Sequence, residues 1–285
     1  MNKNNNFEKV KIDENEFDEA QWLYSQDWEY HDYGDCKRHL QILFPSKPEW
    51  KENEKYPVIL FIPGSAWHKQ EMYNDIPQYA SLARQGFVVA AMEYRESDIA
   101  VFPAQIEDVE NALKFMETIA DNFHMDMDRI YLMGNSSGGH IAMMSVLFWA
   151  NGLCNTPCRI SGVIAESAST DILVCAKAPL APWMKVRPSA ALLGVDKIEG
   201  NEELARKASC SMYITEEVKL PPVLLIHSEN DPVVSVENSR ILYEKLTDTH
   251  HEVSYYELSG NSAHGGAVYY DSQVLGIIRD FCRKH

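Results

Sequence analysis

The motif Gly-Asn-Ser-Ser-Gly-Gly at residues 134–139 has the spacing of a nucleophilic serine held in a tight turn. The apolar run 129–133 precedes it and the periodic stretch 140–148 follows it, which predicts a strand, an abrupt turn and a helix. Small residues on both sides of Ser136 would let the strand pass directly into the helix and expose the hydroxyl. The start of such a helix directs backbone N–H groups at a developing oxyanion. The pattern therefore indicates nucleophilic attack by Ser136, with an ordinary Gly/Ser loop as the alternative.

A serine hydroxyl needs a base to take its proton. His264 is the best-placed candidate, because residues 259–266 read Ser-Gly-Asn-Ser-Ala-His-Gly-Gly and lie between the last predicted strand and helix. Such a loop can carry an imidazole over the carboxyl edge of a sheet, although a structural loop histidine is the alternative. The other histidines after Ser136 are better explained by packing, surface connections or the chain end: His140, His227, His250, His251 and His285.

The base needs an acid that accepts its Nδ1–H and stabilises the imidazolium. Asp231 follows the penultimate predicted strand in the sequence His-Ser-Glu-Asn-Asp-Pro, and Pro232 stiffens the turn. Glu229 is the competitor two residues earlier, and Asp231 could instead serve as a turn or cap residue. We interpret Asp231 as the acid.

Two backbone N–H groups should form the oxyanion hole. One is expected from Ser137, the residue after the nucleophile. The other is expected from Ser65 or Ala66 in the sequence Pro-Gly-Ser-Ala-Trp at 63–67, although an ordinary Pro-Gly turn would explain that loop. Three large side chains are candidates for contact with a substrate, with core packing as the alternative: Trp67, Trp183 and Met184.

The elements that must position these residues alternate between strands and helices. Strands are predicted over 39–44, 58–62, 87–92, 130–133, 160–165, 223–227 and 253–258. Helices are predicted over 76–85, 105–122, 137–151, 236–247 and 272–283. This alternation predicts an α/β fold with a mainly parallel central sheet and helices on both faces.

Two stretches depart from the alternation. Residues 1–37 are polar and acidic with scattered aromatic residues, and are predicted to be an N-terminal arm packing on one domain over 38–285. The segment of about 170–215 is predicted to be an irregular insertion before the penultimate strand. It could be a lid or pocket wall, or an irregular crossover with one or two helices.

Composition excludes several classes of partner. The net charge of −16 argues against nucleic acid and against an anionic membrane. The polar first ten residues show no apolar signal segment, which predicts a cytoplasmic protein with reduced cysteines. Cys154 and Cys158 have no second Cys/His pair at zinc-site spacing, so we predict no metal site. None of these features predicts an oligomeric state.

Taken together, these motifs resemble the α/β-hydrolase superfamily and, within it, the esterase/lipase branch of acetyl-xylan and feruloyl esterases. The resemblance covers roughly 38–284. It is carried by Tyr-Arg at 94–95, Phe-Pro-Ala-Gln-Ile-Glu-Asp at 102–108, Asp-Arg at 128–129, Gly-Asn-Ser-Ser-Gly-Gly-His at 134–140, Asp-Pro-Val-Val at 231–234 and His-Gly-Gly at 264–266. Family members typically carry His-Gly-Gly-x-Trp at the oxyanion loop, where this chain has Pro-Gly-Ser-Ala-Trp.

The resemblance implies an α/β-hydrolase fold in which serine, acid and histidine follow in that chain order. It implies a serine esterase of short acyl, acetyl-type esters, with a small ester or an acylated saccharide as substrate and no cofactor. Two alternatives remain at this point. One is an amide hydrolase with the same triad, either a small peptidase or a formamidase. The other is an inactive fold that serves as a scaffold.

Overall fold

The computed structural model describes residues 21–178, 186–260 and 263–285. Its strands are β1 (Gln21–Asp32), β2 (Lys37–Ser46), β3 (Tyr56–Ile62), β4 (Val88–Met92), β5 (Met125–Asn135), β6 (Gly162–Glu166), β7 (Val223–Ser228) and β8 (Val253–Leu258). Within the described residues these eight strands form one sheet in the order β1-β2-β4-β3-β5-β6-β7-β8. β2 is antiparallel to β1 and β4, and the strands from β4 to β8 run parallel. The predicted fold class is confirmed.

β1 is the strand that the sequence analysis did not predict. It lies inside the segment 1–37 interpreted as an arm, and it pairs with β2 at the edge of the sheet. Most of its residues are exposed or half-buried, and the pairing is shifted between Ser25 and Trp28 and between Glu29 and His31. Because a bulged edge strand lacks a regular alternation of apolar and polar residues, the period-two signal is missing. The division of the chain into an arm and one domain stays a prediction.

The helices are α1 (Ile76–Ala83), α2 (Ala104–Ile119), α3 (Ser137–Ala150), α4 (Ile172–Cys175), α5 (Pro188–Leu192), α6 (Glu202–Lys207), α7 (Glu237–Asp248) and α8 (Ser272–Lys284). Single 3₁₀ turns span Ala120–Phe123, Cys210–Tyr213 and Ala267–Tyr270. All five predicted helices are present, as α1, α2, α3, α7 and α8. No helix in the described part of the chain has both the length and the apolar character needed to cross a membrane.

Helices cover both faces of the sheet. In β3, Val58, Leu60 and Ile62 pack in one buried cluster with residues of α2, α3 and α7. Ile59 and Phe61 point the other way and pack with residues of α1 and α8. Because both faces are covered, the central strands are continuous apolar runs, which is why the sequence identified them.

The predicted insertion before the penultimate strand lies between β6 and β7. Its described part contains α4, α5, α6 and the 3₁₀ turn Cys210–Tyr213, so it holds more helical turns than the predicted crossover. Thr170 Oγ1 donates to the carbonyl oxygen of Asn238 in α7, and His140 Nε2 in α3 contacts the carbonyl oxygen of Ala208 at 2.7 Å. The segment is therefore attached to two helices of the core. Its role as a lid or pocket wall stays a prediction.

Candidate active site

Ser136 lies between the end of β5 and the first residue of α3, with φ 52° and ψ −123°. A positive φ is uncommon for a residue that carries a side chain. Close packing holds the turn, since a Cβ atom on Gly138 would lie 1.9 Å from the carbonyl oxygen of Ile62. The N–H of Ser136 donates to the carbonyl oxygen of Glu166 at 2.8 Å. The strained turn that the glycine pattern predicts is present at the carboxyl edge of the sheet.

His264 and Asp231 reach this edge from two other loops. Nε2 of His264 lies 3.1 Å from Oγ of Ser136, and Nδ1 of His264 lies 2.7 Å from Oδ2 of Asp231. Because an ionised carboxylate only accepts hydrogen bonds, Nδ1 carries the proton and Nε2 is free to accept the serine proton. The three side chains that the sequence singled out are thus in one hydrogen-bonded line. The arrangement can deprotonate the Ser136 hydroxyl during attack.

Asp231 is held as a carboxylate by its surroundings. Its side chain is fully buried. Its Oδ1 accepts the backbone N–H groups of Val233 at 2.8 Å and Val234 at 2.9 Å. Burial raises the pKa of Asp231, but the hydrogen bonds from His227 and His264 outweigh it and bring the pKa well below its usual value. The competitor Glu229 is exposed and accepts the N–H of Gly260 at 3.3 Å. The geometry favours Asp231 as the partner of His264.

His227 has a contact that the sequence analysis missed. Its Nε2 lies 3.0 Å from the carbonyl oxygen of Val234 and 3.4 Å from Oδ2 of Asp231. Since a carbonyl only accepts, Nε2 carries the proton, and Nδ1 accepts from the Ser239 hydroxyl at 2.7 Å. His227 packs at the strand end as interpreted, and it also orients the acid. The four-residue spacing between His227 and Asp231 was the available signal.

The loop 63–67 separates the two oxyanion candidates. The N–H of Ser65 donates to Oγ of Ser137 at 2.9 Å, and the N–H of Gly64 donates to Oδ1 of Asn135 at 2.7 Å. Both groups are therefore engaged within the protein. Across the described residues, the backbone N–H groups of Ala66 and Ser137 donate no hydrogen bond. The structure favours Ala66 over Ser65, an alternative that the sequence left open.

Trp67 is 3% exposed, and its indole N–H donates to Nδ1 of His140 at 3.2 Å. His140 is buried and bonds through Nε2 to Ala208, so it is neutral with the proton on Nε2. Burial lowers the pKa of His140 to about 4. These contacts favour core packing over substrate contact for Trp67, and they agree with the packing that the sequence indicated for His140. The other two predicted substrate contacts, Trp183 and Met184, lie outside the described residues.

Glu166 is a buried acid that the sequence analysis did not single out. It ends β6, is 2% exposed, and its Oε1 has no hydrogen-bond partner among the residues described. Burial raises the pKa of Glu166 to about 8, so the carboxyl is neutral at pH 7. A glutamate directly after the apolar run 162–165 was the signal. Its backbone carbonyl holds Ser136, which places an uncharged acid next to the turn.

A serine at a strand–turn–helix junction, an aspartate after β7 and a histidine after β8 on this sheet are the arrangement that characterises the α/β hydrolases. The chain belongs to the BD-FAE family, whose model matches residues 40–246.

Curated relatives match most of this chain. "Esterase LipC" of Mycobacterium tuberculosis (strain ATCC 25618 / H37Rv) is 28% identical over 250 residues, which is 82% of this chain and 58% of that protein. "Esterase LipQ" of the same organism is 28% identical over 267 residues, 87% of this chain and 60% of that protein. The chain thus spans less than two thirds of the length of these relatives.

Solved structures share the fold. A structure described as "Truncated form of carbohydrate esterase from gut microbiota" matches 92% of this chain and 96% of its own, with a TM-score of 0.76 and 24% identity. The structure described as "Bifunctional GH43-CE Bacteroides eggerthii" matches 90% of this chain and 38% of its own, with a TM-score of 0.72 and 27% identity.

Proposed function

We propose that this chain is a serine carboxylic-ester hydrolase that cleaves short acyl, acetyl-type esters of carbohydrates or small metabolites. One observation carries the proposal: Oγ of Ser136, the imidazole of His264 and the carboxylate of Asp231 form a continuous hydrogen-bonded line at 3.1 and 2.7 Å. This line joins residues from three loops that are far apart in the sequence. Family membership and the relatives named as esterases support ester hydrolysis.

In the proposed reaction, Ser136 Oγ attacks the acyl carbonyl while His264 Nε2 takes the hydroxyl proton. The oxyanion accepts hydrogen bonds from the N–H groups of Ala66 and Ser137. His264 then protonates the leaving alcohol, and the acyl group stays on Ser136. Water, deprotonated by His264, attacks the acyl-enzyme and releases the acid, and the proton returns to Ser136. Asp231 keeps its charge throughout and stabilises the imidazolium.

The substrate class has its own support. The acylated saccharide rests on the resemblance of the motifs to acetyl-xylan and feruloyl esterases. The acyl length rests on the esterase branch that the motifs resemble. The cytoplasmic location expected from the sequence stays a prediction.

The test is hydrolysis of p-nitrophenyl esters from acetate to octanoate, with matched p-nitroanilides and an acetylated xylo-oligosaccharide. We expect wild type to cleave acetate fastest, to release acetate from the saccharide and to leave the anilides intact. Ser136→Ala should abolish all turnover, whereas Ser145→Ala, which alters a buried serine of the helix that follows Ser136, should not. Cleavage of the anilides at the ester rate would favour an amide hydrolase. A wild type that is inert and does not label with a fluorophosphonate would favour a scaffold.

A further inference from the structure

Hydroxyl groups connect the oxyanion loop to the helix that follows the nucleophile. The N–H of Ser65 donates to Ser137 Oγ at 2.9 Å. Ser137 Oγ lies 3.2 Å from Tyr94 Oη, and Tyr94 Oη lies 2.8 Å from Ser65 Oγ. The Ser65 hydroxyl in turn donates to the carbonyl oxygen of His68. Three residues from β3–α1, β4–α2 and α3 therefore form a closed ring of hydrogen bonds.

The carbonyl at the end of this ring determines where each proton lies. A carbonyl oxygen only accepts hydrogen bonds, so the Ser65 hydroxyl must donate its proton to the carbonyl oxygen of His68. Tyr94 must then donate to Ser65 Oγ, because that oxygen has no second proton. Since Tyr94 has a single proton, Ser137 must donate to Tyr94 Oη. Each hydroxyl therefore donates once and accepts once, an order in which neighbouring hydrogen bonds strengthen one another.

Tyr94 is suited to this part. Its side chain is fully buried, and burial raises its pKa to about 12, so it keeps its proton across the range of ordinary assays. The backbone N–H of Tyr94 donates to Oε1 of Gln70 at 2.9 Å, which fixes the backbone from which the tyrosine side chain extends. The hydroxyl thus stands at a fixed place between the loop and the helix.

The ring has a consequence for the next peptide. Ala66 and Trp67 have φ of 55° and 58°, a left-handed conformation that costs roughly 1–2 kcal/mol for a residue with a Cβ atom. Such a conformation persists only where neighbouring contacts impose it. The Ser65 N–H, held on Ser137 Oγ, is the contact immediately before the strained pair. With that N–H engaged, the next N–H along the chain, on Ala66, makes no hydrogen bond among the described residues and is available to a ligand.

We propose that the hydroxyls of Ser137 and Tyr94 are positioning groups of the oxyanion hole, which hold Ser65 on α3 and thereby present the Ala66 N–H to the developing oxyanion. This inference rests on the proposed ester hydrolysis. Ser65 stands where the His-Gly-Gly-x-Trp pattern has its second glycine, so the ring belongs to this chain's departure from that pattern.

The test compares wild type, Ser137→Ala and Tyr94→Phe. It measures kcat and KM for p-nitrophenyl acetate, and Ki for a trifluoromethyl ketone and for the corresponding alcohol. The ketone forms an oxyanion on Ser136, whereas the alcohol does not. We expect Ser137→Ala to lower kcat about 10- to 100-fold, less than the 10²–10³ of a lost donor. The Ki of the ketone should rise by the same factor, with the Ki of the alcohol and the KM nearly unchanged. Tyr94→Phe should have a smaller effect, and the double variant should match Ser137→Ala.

Ser145→Ala is the matched control, because Ser145 is a buried serine of α3 whose hydroxyl bonds only to the carbonyl oxygen of Ile141 in the hydrogen bonds of the described residues. It should leave all three ligands unaffected. An unchanged kcat in Ser137→Ala, or an equal loss of affinity for ketone and alcohol, overturns the proposal.

Amide hydrogen exchange keeps the test decisive even if wild type hydrolyses no ester. The Ser65 amide should exchange faster in Ser137→Ala than in wild type or Ser145→Ala. An inert wild type with this pattern would refute the proposed esterase while leaving the ring in place. Equal exchange of the Ser65 amide in all three proteins would refute the ring itself.

Discussion

The proposed acid–base half of the site consists of the side chains of Ser136, His264 and Asp231. The proposed oxyanion half consists of backbone N–H groups, which loop 63–67 presents with the support of Ser137 and Tyr94. In the acid–base half, each atom that would act belongs to a residue type suited to that chemistry. In the oxyanion half, the N–H groups belong to Ala66 and Ser137, whose side chains do not make them donors. What matters there is which N–H the neighbouring groups leave unengaged.

The two halves also differ in the buried group that packs behind each. Trp67 of the oxyanion loop donates to His140, whose lowered pKa keeps it neutral. Glu166 lies on the other side, near Tyr269 and Tyr270 of the turn after His264, and its raised pKa keeps it neutral too. One group gains a charge in acid and the other in base. The two buried groups should therefore make the free energy of unfolding depend on pH in opposite directions.

The largest expected effect is on the acid–base half. Asp231→Asn should lower kcat about 10⁴-fold, because the amide cannot stabilise the imidazolium and favours the wrong histidine tautomer. Steady-state kinetics on p-nitrophenyl acetate measures the loss, and circular dichroism checks the fold. Glu229→Gln is the control and should retain wild-type kcat. A larger loss in Glu229→Gln than in Asp231→Asn would reverse the assignment of the acid.

Glu166→Gln should remove a pH dependence of stability. In the folded protein the pKa of Glu166 is about 8 against an ordinary 4.5, so the folded state holds a proton that the unfolded state releases. The contribution of Glu166 to the free energy of unfolding is therefore complete below pH 4.5. It falls by roughly 5 kcal/mol in total as the pH rises from 4.5 to 8. Urea unfolding at pH 5, 7 and 9 should show wild type losing stability relative to the variant. Parallel pH profiles for the two proteins would refute a neutral Glu166.

His140→Gln should remove the opposite dependence. The pKa of His140 is about 4 in the folded protein against an ordinary 6.5, so only the unfolded state gains a proton between these values. The contribution of the neutral His140 to the free energy of unfolding is complete above pH 6.5. It falls by roughly 3 kcal/mol as the pH drops from 6.5 to 4. The same unfolding series, extended to pH 4, measures it. A variant whose acid loss equals that of wild type would contradict the neutral histidine.

Trp67→Phe should have the smallest effect and separates packing from substrate contact. The change leaves the buried Nδ1 of His140 without its donor, which costs about 1–3 kcal/mol of unfolding free energy. We expect KM for the acetate and butyrate esters to stay within about twofold, since the ring is buried. A large rise in KM with unchanged stability would instead make Trp67 a substrate contact.

Much of the fold can be predicted from the sequence because buried parallel strands are continuous apolar runs and covering helices such as α2 and α8 have one apolar face. The runs that contain β3, β5 and β7 show this directly. β1 was missed because an edge strand buries little and its bulges break the alternation. For the segment between β6 and β7 the sequence suggested at most one or two helices and no bounds, because helices of four to six residues carry too little periodicity to detect.

By itself, the sequence determined which side chains could do chemistry, since the identities of Ser136, Asp231 and His264 and their places at strand ends are local properties. Only the tertiary structure favoured Ala66 over Ser65 as the proposed donor, placed His227 against Asp231 and buried Glu166 so that its carboxyl is neutral. The choice between the two N–H groups depends on a contact between residues distant in the chain, Ser65 with Ser137, and the protonation of Glu166 depends on its burial. The contact between His227 and Asp231 spans only four residues but depends on how the chain turns after β7. The protonation of a buried group and the availability of a backbone N–H are set by neighbours in space, and the residue's own type does not record them.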